Sequence, residues 1–75
     1  MADKVTFEIV KEIAVLREPN DNGWTREVNL VSWNGADAKV DIRDWSPDHS
    51  KMSKGITLTV NEGKALVKYL QIALN

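Results

Sequence analysis

Two indoles and two cations, Trp33, Lys39, Arg43 and Trp45, occur at spacings that place them in one row if residues 33 to 45 fold as paired strands. That combination suits the binding of unpaired nucleic acid. Bases stack on flat rings at ~1–3 kcal/mol each, while Lys and Arg neutralise the phosphates. Lys51 and Lys54, just beyond Trp45, would extend the cationic track. Arg26 is a further candidate cation whose parity leaves its face ambiguous, and Trp24 falls on the core parity and reads as packing. The same rings would also serve a second hydrophobic layer or a protein contact, with Glu27 and Arg43 as a cross-strand ion pair.

Other chemistries are poorly supplied. The chain has no Cys, a single His and no Gly-x-Ser-x-Gly elbow, so nucleophilic catalysis has no equipment. Asp41, Asp44, Asp48 and His49 are metal-ligating types, but spread over a strand and a loop they read as a solvated surface. No glycine-rich phosphate cradle occurs. We expect a non-enzymatic protein without cofactor or metal.

The elements that would position the row follow from local pattern. Residues 6–18 favour a long strand, with Phe7, Ile9, Ile13 and Val15 on one parity and Lys11 as the exception. Pro19-Asn20-Asp21-Asn22-Gly23 is a turn. Strands are predicted at 24–33 and 37–45, where β-branched and aromatic residues alternate with polar ones. Asn34-Gly35 between them signals a two-residue hairpin, yet that register would set apolar groups beside polar ones all along the ladder. One extra residue repairs the conflict. Leu30 then meets Val40 and Val28 meets Ile42 on a core face, while Trp33, Val31, Asn29 and Glu27 share the other face with Asp37, Lys39, Asp41, Arg43 and Trp45. A polar loop, a short strand at 55–58 and a helix capped by Thr59 and Glu62 complete the order. Leu66, Tyr69, Leu70, Ala73 and Leu74 form the apolar stripe of that helix, and Val67 and Ile72 widen it. Gly63 costs the helix ~1 kcal/mol relative to Ala with no reason visible in the sequence.

Size limits what such a chain can do alone. Its 75 residues give room for one domain, 1–75, that buries roughly 60% of its unfolded surface. Without disulfides, burial against a second copy is the remaining aid. No apolar run approaches the ~20 residues that cross a bilayer, and Met1-Ala2-Asp3-Lys4 opens no leader peptide. We therefore expect a cytoplasmic, nucleoid-associated protein without membrane contact. The net charge of −1 runs against a general nucleic-acid binder, although local charge sets the field.

Lys39-Val40-Asp41-Ile42-Arg43-Asp44-Trp45 and Lys51-Met52-Ser53-Lys54-Gly55-Ile56-Thr57-Leu58 closely resemble the DNA-binding core of the transcriptional Positive Cofactor Four family. The whole chain looks like its short bacterial branch, the YdbC-type proteins. The resemblance implies an α+β fold, a curved four-stranded antiparallel sheet followed by a C-terminal helix, assembled as a homodimer whose helices pack together. It implies binding of single-stranded DNA with little sequence preference, in transcription, replication or repair. By that resemblance Trp33 matches the aromatic of the second hairpin, Arg43 the arginine of the third strand, Trp45 the tyrosine–tryptophan pair after it, and Lys54 the lysine before the fourth strand. Asn34, Asp37 and Val31 depart from it, since the eukaryotic members carry basic residues there, and the regulatory Ser- and Lys-rich tail is absent. Two alternatives stay open: a single-stranded RNA-binding module, and a protein-interaction module that docks on transcription or repair machinery.

Overall fold

Alternating β-branched and polar residues do form a sheet, and the apolar stripe after Thr59 does form a helix, in a computed structural model that describes residues 5–75. Residues 1–4, on which the expectation of no leader peptide rests, lie outside the described residues. Strand β1 spans Phe7–Arg17, β2 Thr25–Trp33, β3 Lys39–Trp45 and β4 Ile56–Leu58, and helix α1 spans Val60–Leu74. The sheet order is β1-β2-β3-β4 with every neighbour antiparallel. Its four strands and single C-terminal helix are the expected α+β architecture.

The hairpin between β2 and β3 contains both the tight turn and the extra residue. Asn34 (φ 53°) and Gly35 (φ 77°) are both left-handed, and the Ala36 amide donates to the Trp33 carbonyl at 2.9 Å. This closes a two-residue turn. Regular pairing resumes only at Val31 and Lys39, one residue out of step, so that Leu30 meets Val40 and Val28 meets Ile42. The odd register is therefore the real one. It puts the apolar pairs on one side of the sheet, the helix face, and Glu27, Asn29, Val31, Trp33, Asp41 and Arg43 on the other, the tryptophan face.

Strand β1 departs from simple parity. Three bulges interrupt its pairing with β2, between Ile9 and Lys11, Glu12 and Ala14, and Val15 and Arg17. Each bulge moves the following side chains to the opposite face and bends the strand. Phe7 and Ile9 thus lie beside Trp33 and Val31, whereas Lys11 comes opposite Leu30. Of the four residues expected on one parity, Phe7, Ile9 and Val15 stay opposite the tryptophan-face residues Trp33, Val31 and Glu27, and Ile13, in the second bulge, lines the trough under α1 instead.

Thr59 caps α1 as anticipated: its hydroxyl accepts from the Glu62 amide at 3.1 Å, and the Glu62 carboxylate accepts from the Thr59 amide at 2.8 Å. The helix leans on β3 and β4. Gly63 now has its reason, because a Cβ there would lie 3.1 Å from a Val40 methyl. Glycine lets the first turns of the helix settle on β3. Even so, no residue of α1 is buried. Leu66, Leu70, Val28, Leu30, Val40 and Ile42 line an open apolar trough of about 490 Å³.

Candidate nucleic-acid interface

Arg43 is held by its own strand. Asp41, two residues earlier and on the same face, accepts from its Nε at 2.6 Å and from one terminal nitrogen at 2.7 Å. Such a fork-to-fork pair fixes the guanidinium plane as well as its position. The Asp41 carboxylate is fully buried and takes a third hydrogen bond from the Thr57 hydroxyl at 3.0 Å. The other terminal nitrogen of Arg43 donates to the Ser53 carbonyl at 3.3 Å and reaches the Met52 sulfur at 3.4 Å. Gly55 leaves the space through which Arg43 passes, since a Cβ there would overlap the Arg43 Cβ and the Ile42 carbonyl. Locked in this way, the guanidinium carbon stands 4.5 Å over the Trp33 ring. The half-buried indole and the cation form one rigid stacked unit.

Trp45 requires a correction. An uncovered ring is expected from its place in the row, but the side chain is 0% exposed. Parity assigned the correct face and said nothing of depth. Phe7 packs against Trp45 with ring centroids 5.1 Å apart, and the same Phe7 ring lies 5.8 Å from Trp33. On the loop side the His49 ring stands 5.3 Å away. His49 reaches it through a left-handed backbone (φ 60°) in the turn after β3. The curled end of β1 and this loop together close over Trp45.

His49 is more than the plain loop residue the sequence suggests. Its Nε2 lies 3.0 Å from both carboxylate oxygens of Glu27. Glu27 also accepts from Thr25 Oγ1 at 2.5 Å and from Asn29 Nδ2 at 3.1 Å. Burial pushes the Glu27 carboxyl up, but the hydrogen bonds from Thr25, His49 and Asn29 outweigh it and leave the pKa lowered. Glu27 and Arg43 are cross-strand neighbours, yet each takes another partner. Nothing in the one-dimensional pattern marked this network, which depends on the loop turning back over the sheet.

The remaining cations divide. Lys39 is exposed at the edge of the tryptophan face, and Lys51 and Lys54 are exposed in the segment between β3 and β4. Arg26 is not brought to them. It lies on the helix-face parity opposite Asp44, and its Nε donates to Asp44 Oδ1 at 2.9 Å. That hydrogen bond raises the Arg26 pKa and lowers that of Asp44, with Arg17 at 3.4 Å adding to the latter. Asp41, Asp44, Asp48 and His49 stay apart as well: Asp41 serves Arg43, Asp44 the two arginines, and His49 Glu27. Asp48 instead organises the loop. Hydrogen bonds from the Ser50 hydroxyl and amide and the Ser46 hydroxyl hold its pKa down to about 2.

This arrangement can be set beside known proteins. The sequence profile of the family described as transcriptional coactivator p15 (PC4) matches residues 20–69, from the turn before β2 well into α1. The chain belongs to the PC4 family. A protein of Treponema pallidum (strain Nichols), itself described only as uncharacterized, is 47% identical over 64 residues, which cover 85% of this chain and 74% of that one. The PC4 family is non-enzymatic and is known for nucleic-acid binding and transcription coactivation. Within the PC4 match lie Trp33 and Arg43, Asp41 and Thr57 beneath them, and the exposed lysines. No helix among the described residues is long and apolar enough to cross a membrane.

Proposed function

We propose that the protein binds single-stranded DNA without sequence preference, as a homodimer, where strands open during transcription, replication or repair. The observation that carries this reading is the locked Trp33–Arg43 stack. An unpaired base lies against this unit, and its position costs little because both side chains are already ordered. The Arg43 charge is largely balanced by Asp41, so Arg43 acts chiefly as a flat extension of the indole. Lys39, Lys51 and Lys54 supply the mobile positive charge for phosphates. Trp45 backs the site from inside, keeping Phe7 and hence Trp33 in place.

The open trough supports the dimer. A chain of 8.4 kDa that leaves Leu66, Val67 and Leu70 wet is a poor monomer, and a second copy offers the same self-complementary apolar surface. Single strands are favoured over duplex because only an unpaired base exposes its face to a ring.

A titration with oligo-dT, poly-U and a blunt duplex at two salt concentrations tests the proposal. We expect oligo-dT to quench tryptophan fluorescence and to bind far more tightly than duplex. Affinity should fall linearly on a log–log plot against salt, with a slope set by the phosphates contacted. Equal binding of duplex and single strand would refute a stacking site, and preference for poly-U would reassign the ligand to RNA.

A further inference from the structure

A left-handed backbone at a residue other than glycine persists only where its surroundings impose it. His49 (φ 60°) is such a residue, and the loop after β3 fixes it from both sides. Its amide donates to the Ser46 carbonyl at 2.9 Å, closing the turn from Ser46 to His49. Asp48 Oδ1 accepts from Ser46 Oγ and from the Ser50 amide, each at 3.0 Å, which pins the chain before and after the imidazole. The ring is thereby carried back over the sheet to Glu27, 22 residues away in sequence.

From His49 a file of aromatic contacts runs to the stacking site. The His49 ring stands 5.3 Å from Trp45, Trp45 5.1 Å from Phe7, and Phe7 5.8 Å from Trp33. Trp45, in the middle, is fully buried, so a displacement at one end finds little free space to be absorbed in. A buried indole N–H ordinarily finds an acceptor. Those of Trp33 and Trp45 have none among the described residues. Ring packing, and for Trp33 the Arg43 stack, therefore decide how these side chains sit.

We propose that His49 is a positioning residue for the stacking site: clasped to Glu27, it holds the Trp45–Phe7 file against Trp33, and a proton on its ring tightens the clasp. The proposal rests on the single-strand-binding reading above and adds to it a dependence on pH. His49 Nε2 lies 3.0 Å from both oxygens of Glu27, and a hydrogen bond to a carboxylate strengthens when the donor is itself charged. The hydrogen bonds that lower the Glu27 pKa keep it anionic while an imidazole titrates. Glu12 of β1 lines an open hollow of about 390 Å³ with Glu27, Asn29 and His49, and Asp48 precedes His49 in the loop. Arg43, across the register from Glu27, is taken up by Asp41. The His49 side chain is 32% exposed, so solvent protons reach it.

The test titrates fluorescently labelled oligo-dT against wild type, His49→Gln and Trp33→Ala between about pH 8 and about pH 5.5, where an imidazole gains its proton. We expect wild-type affinity to rise by about threefold or more as pH falls, and His49→Gln, which keeps a donor but cannot charge, to give a flat profile. The salt slope should be equal at both ends of the range. A slope steeper by about one at low pH would mean that His49 binds a phosphate directly, which overturns the positioning role. In the DNA-free protein the Trp33 and Trp45 indole N–H resonances should move with the midpoint of the His49 ring, and a stationary Trp33 signal refutes the file. Should His49→Gln misfold, these wild-type resonances decide. If wild type and His49→Gln share one pH profile while Trp33→Ala binds weakly, the clasp is refuted and the first reading stands. If no form binds oligo-dT, that reading falls and takes this inference with it.

Discussion

The two faces of the sheet invert the usual distribution of polarity. The tryptophan face holds Glu27, Asn29, Asp41 and Arg43 beside its aromatic groups, yet Asp41 and Asn29 are sealed from water within one chain. The helix face holds Val28, Leu30, Val40, Ile42 and the stripe of α1, yet it stays open. The buried carboxylates are tolerated here because each has partners in reach: Asp41 has Arg43 and Thr57, and Glu27 has Thr25, Asn29 and His49. An apolar surface can complete itself only with more apolar surface. One face is closed largely by hydrogen bonds, and the other is left open.

The sharpest way to break the contrast is to remove a partner from the finished face. Asp41→Ala strands the Arg43 guanidinium and the Thr57 hydroxyl, and loss of one member of a buried pair costs about 3–5 kcal/mol. Urea denaturation should show this loss, and oligo-dT affinity should fall even where the variant remains folded. Next in size is Leu70→Asp on the unfinished face. On an exposed surface such a change is worth about 0.5 kcal/mol or less. If the trough is a dimer contact, the variant should lose several times that, and light scattering should give about half the wild-type mass. A variant of unchanged mass and stability would mean that the helix face is open in solution. Thr59→Ala, which removes the helix cap, should cost about 1 kcal/mol in either assembly.

Glu27 sharpens the comparison through pH. Its folded pKa lies below the ordinary 4.5, so its contribution to stability is complete above that value. The contribution is lost as pH falls through the folded pKa. Glu27→Gln should therefore flatten the acid limb of thermal stability below pH 4.5 relative to wild type. The smallest effect belongs to Arg26→Ala. Its ion pair with Asp44 is exposed and faces away from Trp33, so oligo-dT affinity should stay within twofold.

Much of this arrangement was legible beforehand, and the failures have physical causes. The β2–β3 register could be read because only one pairing put Leu30 against Val40 and kept like beside like. The helix start was readable because Thr59 and Glu62 need only each other. Parity, however, reports a face and not a depth. It put Trp45 in the right row without revealing that Phe7 and His49 close over it. The β1 bulges were invisible because an extra residue leaves composition unchanged. The Glu27–His49 contact spans 22 residues and depends on a left-handed turn that no local pattern demanded.

The account depends most on a base lying against Trp33, and substitution of that one ring with both faces of the sheet otherwise intact tests it directly. Equilibrium titration of oligo-dT against wild type, Trp33→Phe and Trp33→Ala should show Phe retaining most of the affinity. Ala should lose about 1–3 kcal/mol, the worth of one stacked base. Wild-type affinity in a folded Trp33→Ala protein would contradict the account.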